Sequence, residues 1–242
     1  MLEPWRIGVV IKIREETSST RRYWIQIPEL ASFDFIPGQF VTLDLPIHEK
    51  KNKRWRSYSI ASAPDKTNII ELVIVLMEGG AGTAYLFNEV KEGSELLLRG
   101  PQGVFVLPQV IDRDIFFICT GTGVAPFRSM LHHINHYNIF HKNIYLLFGT
   151  RLIKDCLYYH ELKELEKEID SYFYIPTFSR EPEENTLVRK GYVHTVYEEI
   201  LSIERPPAYF YLCGWKNMVD EAKKRILDLG YEKKAIHLEL YG

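Results

Sequence analysis

The pattern of apolar residues changes halfway along the chain, and this change limits the folds that its 242 residues can adopt. Up to about residue 107, apolar residues come in short segments separated by turn residues, which is typical of antiparallel β-structure. The predicted strands are residues 8–13, 23–27, 40–45, 57–62, 69–77 and 94–99. We therefore expect an antiparallel barrel or sandwich in the first part of the chain.

From Ile115 onward, apolar strands alternate with helical stretches. The predicted strands are 115–120, 144–148, 172–178, 208–213 and 235–238, and the predicted helices are 125–137, 160–168, 195–201 and 218–229. Alternation of this kind predicts a mostly parallel, doubly wound α/β sheet. Pro108 interrupts the pattern between the two parts, so we predict two domains, residues 1–107 and 114–242, with a surface loop at 180–191.

Composition excludes several classes of protein. Apolar residues make up 46% of the chain and charged residues 26%, and the net charge of −2 gives no general attraction to nucleic acid or to an anionic membrane. The three cysteines, Cys119, Cys156 and Cys213, are too few for a disulfide framework, a zinc site or a four-thiolate cluster. With no apolar stretch typical of a signal peptide or membrane span, we expect a cytoplasmic protein.

A glycine turn follows the first predicted strand of the second domain. Thr120, Gly121, Thr122 and Gly123 lead from that strand into a helix, with Pro126 in its first turn. Backbone amides and a helix N-terminus in such a turn face an anion at close range, and a pyrophosphate fits. A tight connection without a ligand remains the alternative, and Pro126 departs from the usual GxGxxG spacing.

A second candidate site lies in the predicted barrel. Arg56 and Tyr58 share one face of a strand and Ser57 and Ser59 the other, so the arginine can pair with a phosphate while the tyrosine lies against a planar ring. Taken alone, an amphipathic strand also explains these residues. The glycine cluster at 79–83 precedes a predicted helix at 84–90 and offers a second anion site downstream.

Six motifs together resemble the ferredoxin–NADP reductase family, in the family's order and over nearly the whole chain. They are Phe35–Phe40, Arg56–Ser59, Gly80–Thr83, Gly100–Phe105, Gly121–Phe127 and Cys213–Met218. The resemblance implies an FAD-binding antiparallel barrel followed by a nicotinamide-binding α/β domain, with the active site in the cleft between them. It agrees with the division that the periodicity predicts.

The resemblance also implies roles on the flavin side. Arg56 would bind the FAD pyrophosphate, Tyr58 would stack on the flavin and Ser59 would lie near flavin N5. Thr83 and the amides around it would hold the pyrophosphate from the other side. Further cofactor contacts are expected from Ser57, Ile74, Val75, Gly80, Ala81 and Gly82.

On the nicotinamide side, the segment from Thr120 to Pro126 would bind the nucleotide's pyrophosphate, and Cys213 would lie beside the nicotinamide ring. Gly214 and Met218 favour this role, whereas a buried inert cysteine is the alternative.

Two residues near the C-terminus complete the implied set. Tyr241 would lie against the flavin and withdraw before hydride transfer, and Glu239 would lie near the reacting rings. Gly242 after the tyrosine is a departure, and a frayed tail is the alternative.

The choice of nucleotide depends on the pocket around the adenosine ribose, where a 2′-phosphate needs positive charge and hydroxyl donors. Ser179, Arg180, Lys190 and Tyr192 resemble the family's NADPH-selecting positions, and Arg151 is a further candidate. No sugar-binding acid ends the predicted strand at 172–178. We therefore expect NADPH rather than NADH.

The predicted activity is hydride transfer between NADPH and FAD, with single electrons passing to or from a separate carrier such as ferredoxin or flavodoxin. Two alternatives remain, a reductase component of an oxygenase or hydroxylase system and a flavin-binding accessory subunit.

The basic run Lys50, Lys51, Lys53 and Arg54 is either a docking site for an acidic redox protein or a charged loop tip.

Two further patterns do not support a site. His132 and His136 have zinc-ligand spacing but lack the HExxH glutamate and a third ligand, so we interpret them as ordinary helix residues. No GxSxG motif or Ser/His/Asp order indicates nucleophilic hydrolysis.

Overall fold

The structure, a computed structural model, describes residues 3–241, with side chains described as far as Leu240. The chain divides into two compact units. One contains the chain up to Val106 together with Arg128–His133, and the other contains Leu107–Phe127 and the chain from Ile134 onward. The predicted domain limits, 1–107 and 114–242, stay a prediction of where each domain begins and ends.

The first unit is an antiparallel β-structure with one short helix. Its strands are β1 (Trp5–Thr17), β2 (Thr20–Gln26), β3 (Phe40–Asp44), β4 (Trp55–Ser59), β5 (Ile69–Val75) and β6 (Glu95–Gln102), and its helix is α1 (Ala81–Asn88). They form one sheet in the order β4-β3-β6-β1-β2-β5. A bridge between Ile60 and Leu72 brings the two edge strands together, so the sheet curls into a barrel around buried side chains such as Tyr23, Leu43 and Leu98.

The second unit is a five-stranded parallel sheet with helices. The strands are β7 (Asp114–Thr120), β8 (Ile144–Thr150), β9 (Tyr172–Phe178), β10 (Ala208–Trp215) and β11 (Ile236–Tyr241). The helices are α2 (Ala125–Tyr137), α3 (Tyr159–Glu168), α4 (Val193–Ile203) and α5 (Lys216–Asp228). The strands lie in the order β11-β10-β7-β8-β9, so the chain builds the sheet outward from β7 on one side as far as β9 and then on the other side from β10. Doubly wound sheets bind ligands at the carboxyl ends of the two strands where the order reverses, which here are β7 and β10.

Helices cover both faces of this sheet. Phe116 belongs to the core that also contains Val196 of α4 and Val219 of α5. Phe117, the next residue, points to the opposite face and stacks on Phe127 of α2 with ring centroids 4.6 Å apart. The predicted architecture, an antiparallel barrel followed by a doubly wound parallel sheet, is confirmed.

Most elements begin or end up to four residues away from the predicted position, and two of these differences bear on the site or the sheet. Helix α1 begins at Ala81 rather than Ala84. Its first turn contains Gly82, which the sequence pattern places in the glycine cluster before the helix. Strand β1 extends on both sides of the predicted 8–13 and ends at Thr17, because its pairing with β2 continues through the charged residues as far as Thr17 and Thr20.

Candidate flavin and nicotinamide sites

In the barrel, Arg56 lies against the start of helix α1. Its Nη1 donates hydrogen bonds to the carbonyl oxygens of Lys53 and Trp55, at 3.1 and 2.8 Å. A Cβ atom added to Gly82 would lie only 3.0 Å from Arg56 Cγ and 3.1 Å from its Nε. The glycine therefore lets the arginine side chain lie directly on the first turn of the helix.

The N-terminus of α1 lacks a side-chain cap. Gly80 is the N-cap residue, and the amides of the first helical turn have no acceptor within the helix. The hydroxyl of Thr83 accepts a hydrogen bond from the Met77 amide at 3.0 Å and donates one to the Gly80 carbonyl at 3.1 Å, which fixes the turn. The predicted hydroxyl contact of Thr83 is thus already used within the chain, and the neighbouring amides of Ala81 and Gly82 remain to face a ligand.

A cation beside a helix N-terminus is electrostatically unfavourable unless an anion lies between them. In the part of the chain that the structure describes, no carboxylate forms an ion pair with Arg56. A pyrophosphate would accept hydrogen bonds from the guanidinium and the first-turn amides together. The residues present therefore fit the FAD pyrophosphate.

The remaining predicted residues of β4 differ in burial. Tyr58 is half-buried and packs against the barrel core, and burial raises the pKa of its hydroxyl far above the usual range. Ser59 is buried, whereas Ser57 is exposed and its hydroxyl lies 3.1 Å from that of Thr42. An aromatic ring held in this way offers one face to a planar ligand.

Strand β5 carries the other two predicted flavin contacts. The side chain of Ile74 is buried in the barrel core and its main chain pairs with Arg21 of β2, so its contact with a ligand stays a prediction. The amide and carbonyl of Glu71 bond to the Ser62 hydroxyl and the Ala61 amide, on the side away from β2. By alternation, the main-chain groups of Val75 face that same side.

In the second unit, the glycine turn forms where β7 meets α2. Residues Gly121–Val124 form one turn of 3-10 helix, and Pro126 lies in the first turn of α2, as predicted. A Cβ atom on Gly123 would lie 2.3 Å from the carbonyl oxygen of Cys213, so this position accepts only glycine. The Trp215 amide donates to the hydroxyl of Thr120 at 3.3 Å, which joins the carboxyl ends of β10 and β7.

The predicted catalytic residues of this unit lie at one level of the sheet. Cys213 pairs with Cys119 of β7 on one side and with Glu239 of β11 on the other. Both cysteines are fully buried, and burial raises the pKa of the Cys119 thiol well above its usual range. Burial makes both thiols poor nucleophiles, and the contact of Cys213 with the nicotinamide ring stays a prediction.

Two neighbouring residues complete this region. Gly214 follows Cys213 in β10, and Met218 is buried in the first turns of α5. The main chain of Tyr241 pairs with Trp215, but its side chain lies outside the described residues. The stacking of Tyr241 on a flavin stays a prediction.

The predicted phosphate-selecting residues come together at the ends of β8 and β9. The Ser179 amide donates to the Thr150 carbonyl at 3.0 Å, and the Arg180 amide donates to the Arg151 carbonyl at 2.9 Å. Both arginines are exposed, and neither forms an ion pair with a carboxylate in the described side chains. The structure thus places two free guanidinium groups on adjacent segments.

Lys190 and Tyr192 lie next to this pair. Lys190 forms a parallel bridge with Phe178, which brings it beside Ser179, but its Nζ bonds to the Glu183 carbonyl at 2.7 Å and to its carboxylate at 3.3 Å. Tyr192 is 68% exposed and available for stacking. Glu181, which follows Arg180, was not predicted as a site residue, because the amide and the asparagine that it binds form no recognisable motif with a glutamate.

Other kinds of site find little support in the described residues. Within residues 3–240, no group of three or more His, Cys, Asp or Glu side chains is arranged to hold a metal ion. His136 is exposed and His132 half-buried on α2. None of the described helices is both long enough and apolar enough to span a membrane.

Known proteins with the same arrangement identify the two halves. A family model described as the oxidoreductase FAD-binding domain matches residues 8–107, and one described as the oxidoreductase NAD-binding domain matches residues 117–224. Together with the fold, these matches define the class of protein, an oxidoreductase that binds FAD and a pyridine nucleotide in successive domains.

Individual relatives narrow the class. Ferredoxin–NADP reductase B of Sorangium cellulosum (strain So ce56) is 33% identical over 245 residues, which cover 99% of this chain and 98% of the relative. The phenol hydroxylase P5 protein of Acinetobacter pittii (strain PHEA-2) is 28% identical over 97% of this chain, which spans 65% of that longer protein. A Neisseria gonorrhoeae ferredoxin NADP+ reductase, solved with bound FAD and NADP, has the same fold, with a TM-score of 0.80, 24% identity and 98% of each chain covered. The chain belongs to the ferredoxin–NADP reductase family and is a FAD-dependent reductase.

Proposed function

We propose that the protein takes hydride from NADPH and delivers electrons singly to a separate carrier protein. The observation that carries the choice of NADPH is the pair Arg151 and Arg180, whose main chains are hydrogen bonded at 2.9 Å and whose side chains pair with no carboxylate in the described region. A 2′-phosphate carries the charge and the acceptors that two such arginines would bind. Ser179 supplies a hydroxyl beside them.

The residues of the chain supply binding and orientation. Arg56 and the first-turn amides of α1 hold the FAD pyrophosphate, and Tyr58 orients the ring system. Thr120 to Gly123 hold the nucleotide pyrophosphate at the carboxyl end of β7. When bound, FAD accepts hydride at N5 and can release its two electrons one at a time, which suits a one-electron acceptor.

Three polar side chains are proposed to shape the reacting contact. Ser59 is assigned to flavin N5, Cys213 to the nicotinamide ring and Glu239 to the polar edge of the two rings. The register that aligns Cys213 with Glu239 supports a joint role for these two residues. Tyr241 is proposed to withdraw before the nicotinamide ring enters.

The acceptor is proposed to be an acidic redox protein. Lys50, Lys51 and Lys53 are exposed, and none of them pairs with a carboxylate in the described part of the barrel. The first relative is named a ferredoxin–NADP reductase, which favours ferredoxin or flavodoxin. Complementary charge would speed the encounter at low ionic strength.

A second candidate is a reductase component of an oxygenase system. Relatives named as reductase subunits favour it, including the glycine betaine monooxygenase reductase subunit of Pseudomonas aeruginosa, which is 27% identical over 96% of this chain. This chain spans 63% of the length of that protein. The same core chemistry would serve either acceptor.

Stopped-flow reduction of the holoenzyme tests the choice of nucleotide. We expect NADPH to bleach the flavin absorbance at concentrations well below those that NADH requires, and a panel of ferredoxins, flavodoxins and oxygenase components would then be tested as acceptors. Equal dependence on the two nucleotides would refute the preference for NADPH. Transfer to an oxygenase component alone would favour the second candidate.

A further inference from the structure

A carboxylate ties together the two segments that carry the phosphate-selecting arginines. One oxygen of Glu181, Oε2, accepts a hydrogen bond from the Ile153 amide at 2.9 Å. The other, Oε1, accepts one from Asn185 Nδ2 at 3.0 Å. The Glu181 side chain therefore joins the segment after β9 to the segment after β8.

This contact extends a short ladder of main-chain bonds. The amides of Ser179 and Arg180 donate to the carbonyls of Thr150 and Arg151. The bond between Ile153 and Glu181 supplies the next link between the segments through a side chain.

The charges explain why a link is needed here. Arg151 and Arg180 are exposed like charges on adjacent segments, and their repulsion favours separation of the segments. Glu181 pairs with neither arginine in the described region, because both of its oxygens accept hydrogen bonds from neutral groups. The Ile153 amide, and next the Asn185 side chain, hold the pKa of Glu181 below its usual range, so the carboxylate stays ionised at neutral pH.

We propose that Glu181 is a positioning residue for nucleotide selection, which keeps Arg151 and Arg180 at the separation that one phosphate group can bridge. The proposal rests on the proposed preference for NADPH. Glu181 acts through the two arginines and makes no contact with the nucleotide itself.

Charge alone makes the opposite prediction. Removing an acid near a phosphate site lowers repulsion of the nucleotide, so a purely electrostatic role predicts tighter NADPH binding in Glu181→Ala. A positioning role predicts weaker binding, because the two segments lose their side-chain link. The sign of the change in KM therefore separates the two roles.

The test uses the holoenzyme with ferricyanide as artificial one-electron acceptor and measures kcat and KM for NADPH and for NADH. We expect Glu181→Ala to raise KM for NADPH about tenfold, as loss of one hydrogen bond to a charged group would, and to leave kcat and KM for NADH nearly unchanged. Glu181→Gln should restore most of the NADPH affinity, because its amide oxygen can still accept from Ile153. Glu184→Ala is the matched control, an exposed acid of the same loop, and should leave KM for NADPH unchanged or slightly lower.

Each outcome bears on one claim. If the wild type prefers NADPH and Glu181→Ala behaves like Glu184→Ala, the positioning role is wrong while the proposed function stands. An equal rise in KM for both nucleotides would also overturn it, since selection would be unaffected. If the wild type itself shows no preference for NADPH, the proposed function fails first and the inference falls with it.

Discussion

At the scale of single residues, Arg56 is the most direct test of the flavin site. Replacing it with alanine removes charge-assisted hydrogen bonds worth about 1.5–3 kcal/mol, so we expect the affinity of the apoprotein for FAD to fall about ten- to hundredfold. Quenching of FAD fluorescence on titration with apoprotein measures the change.

Arg54→Ala is the control for Arg56. Its charge is already matched by Asp44, with Nε and Oδ1 2.6 Å apart. We expect little change in FAD affinity for this variant. Equal losses in both variants would show that general positive charge, rather than the position of Arg56 on α1, attracts the cofactor.

Gly123 is a second residue that can be tested directly, because strand β10 leaves no room for a side chain at this position. A Cβ atom there would meet the Cys213 carbonyl oxygen at 2.3 Å, so Gly123→Ala should separate the glycine turn from β10 and cost about 1–3 kcal/mol in the free energy of unfolding. We expect a large rise in KM for NADPH as well. Urea unfolding and steady-state kinetics measure both effects.

Gly149→Ala provides a milder comparison, because the added atom would press only on the side chains of Val193 and Thr120, at 3.1 and 3.2 Å, and would lie 3.7 Å from the Cys119 carbonyl oxygen, an ordinary contact. A side chain can shift more easily than a strand carbonyl. A Gly123→Ala variant as stable as Gly149→Ala would contradict the close approach of β10 to the turn.

The sequence identifies many of these residues but not their contacts. Arg56 and Gly123 stand out because a strand–arginine pattern and a glycine turn are local signals. The contact of Arg56 with Gly82 joins residues that are distant in the chain, so it leaves no local signal. Glu181 was missed because its partners are a main-chain amide and an asparagine, neither of which forms a recognisable motif with a glutamate.

At the scale of elements, a buried ionic network stabilises the barrel unit. Glu71 of β5, with a side chain 3% exposed, bonds to Arg22 of β2 at 2.6 and 3.0 Å and to Arg128 at 3.3 Å. Arg128 also donates to the Ala61 carbonyl at 2.7 Å, and Ser129 donates to the Ser62 carbonyl at 2.6 Å. These bonds explain why residues 128–133 of α2 belong to the first unit.

Glu71→Gln should therefore be strongly destabilising. The variant removes the carboxylate charge that two buried guanidinium groups share, and breaking a buried ion pair from one side typically costs about 3–5 kcal/mol in the free energy of unfolding. Glu15→Gln, which removes the exposed partner of Arg21, should cost well under about 1 kcal/mol. Urea unfolding of both variants measures the difference. Similar losses in the free energy of unfolding would show that the buried ion pairs of Glu71 stabilise the barrel no more than an exposed ion pair does.

The packing of α4 against α5 predicts a dependence on pH. His194 is buried, with Nδ1 2.9 Å from the Tyr197 hydroxyl and Nε2 3.5 Å from Glu221. Burial lowers the pKa of His194, and Glu221 offsets this only in part because it also binds Arg225. The unfolded chain thus binds the proton more readily, so the free energy of unfolding should fall as pH drops below about 6.5.

His194→Gln should reduce this loss of stability at acidic pH, since glutamine does not titrate. His160→Gln, at an exposed position on α3, is the control and should leave the pH dependence unchanged. Thermal unfolding between pH 5 and pH 8 compares them. An identical pH dependence in wild type and His194→Gln would contradict a neutral buried imidazole.

Elements themselves were largely predictable. Helix α2 and strand β9 occur at the predicted residues, because their apolar periodicity is clear and Pro126 and the loop at 180–191 mark their surroundings. The first and last residues of the elements were less predictable where tertiary packing decides them. Helix α1 is an example, because its first turn contains Gly82, and the contact with Arg56 requires a glycine there. The sheet orders and the Glu71 network depend on pairing between distant segments, which single-sequence patterns do not encode.

At the scale of the whole molecule, one chain carries the binding domains for both FAD and a nicotinamide nucleotide, and we propose that it passes hydride between them. The two family matches and the two folds support the binding of both cofactors. The choice of NADPH and of a separate acceptor rests on exposed charge at the ends of β8 and β9 and before β4.

Anaerobic titration of the purified yellow holoenzyme with NADPH and with NADH tests this claim most directly. We predict that about one equivalent of NADPH bleaches the flavin absorbance and that NADH does so only at much higher concentration. A flavin that keeps its absorbance with either nucleotide would contradict the account.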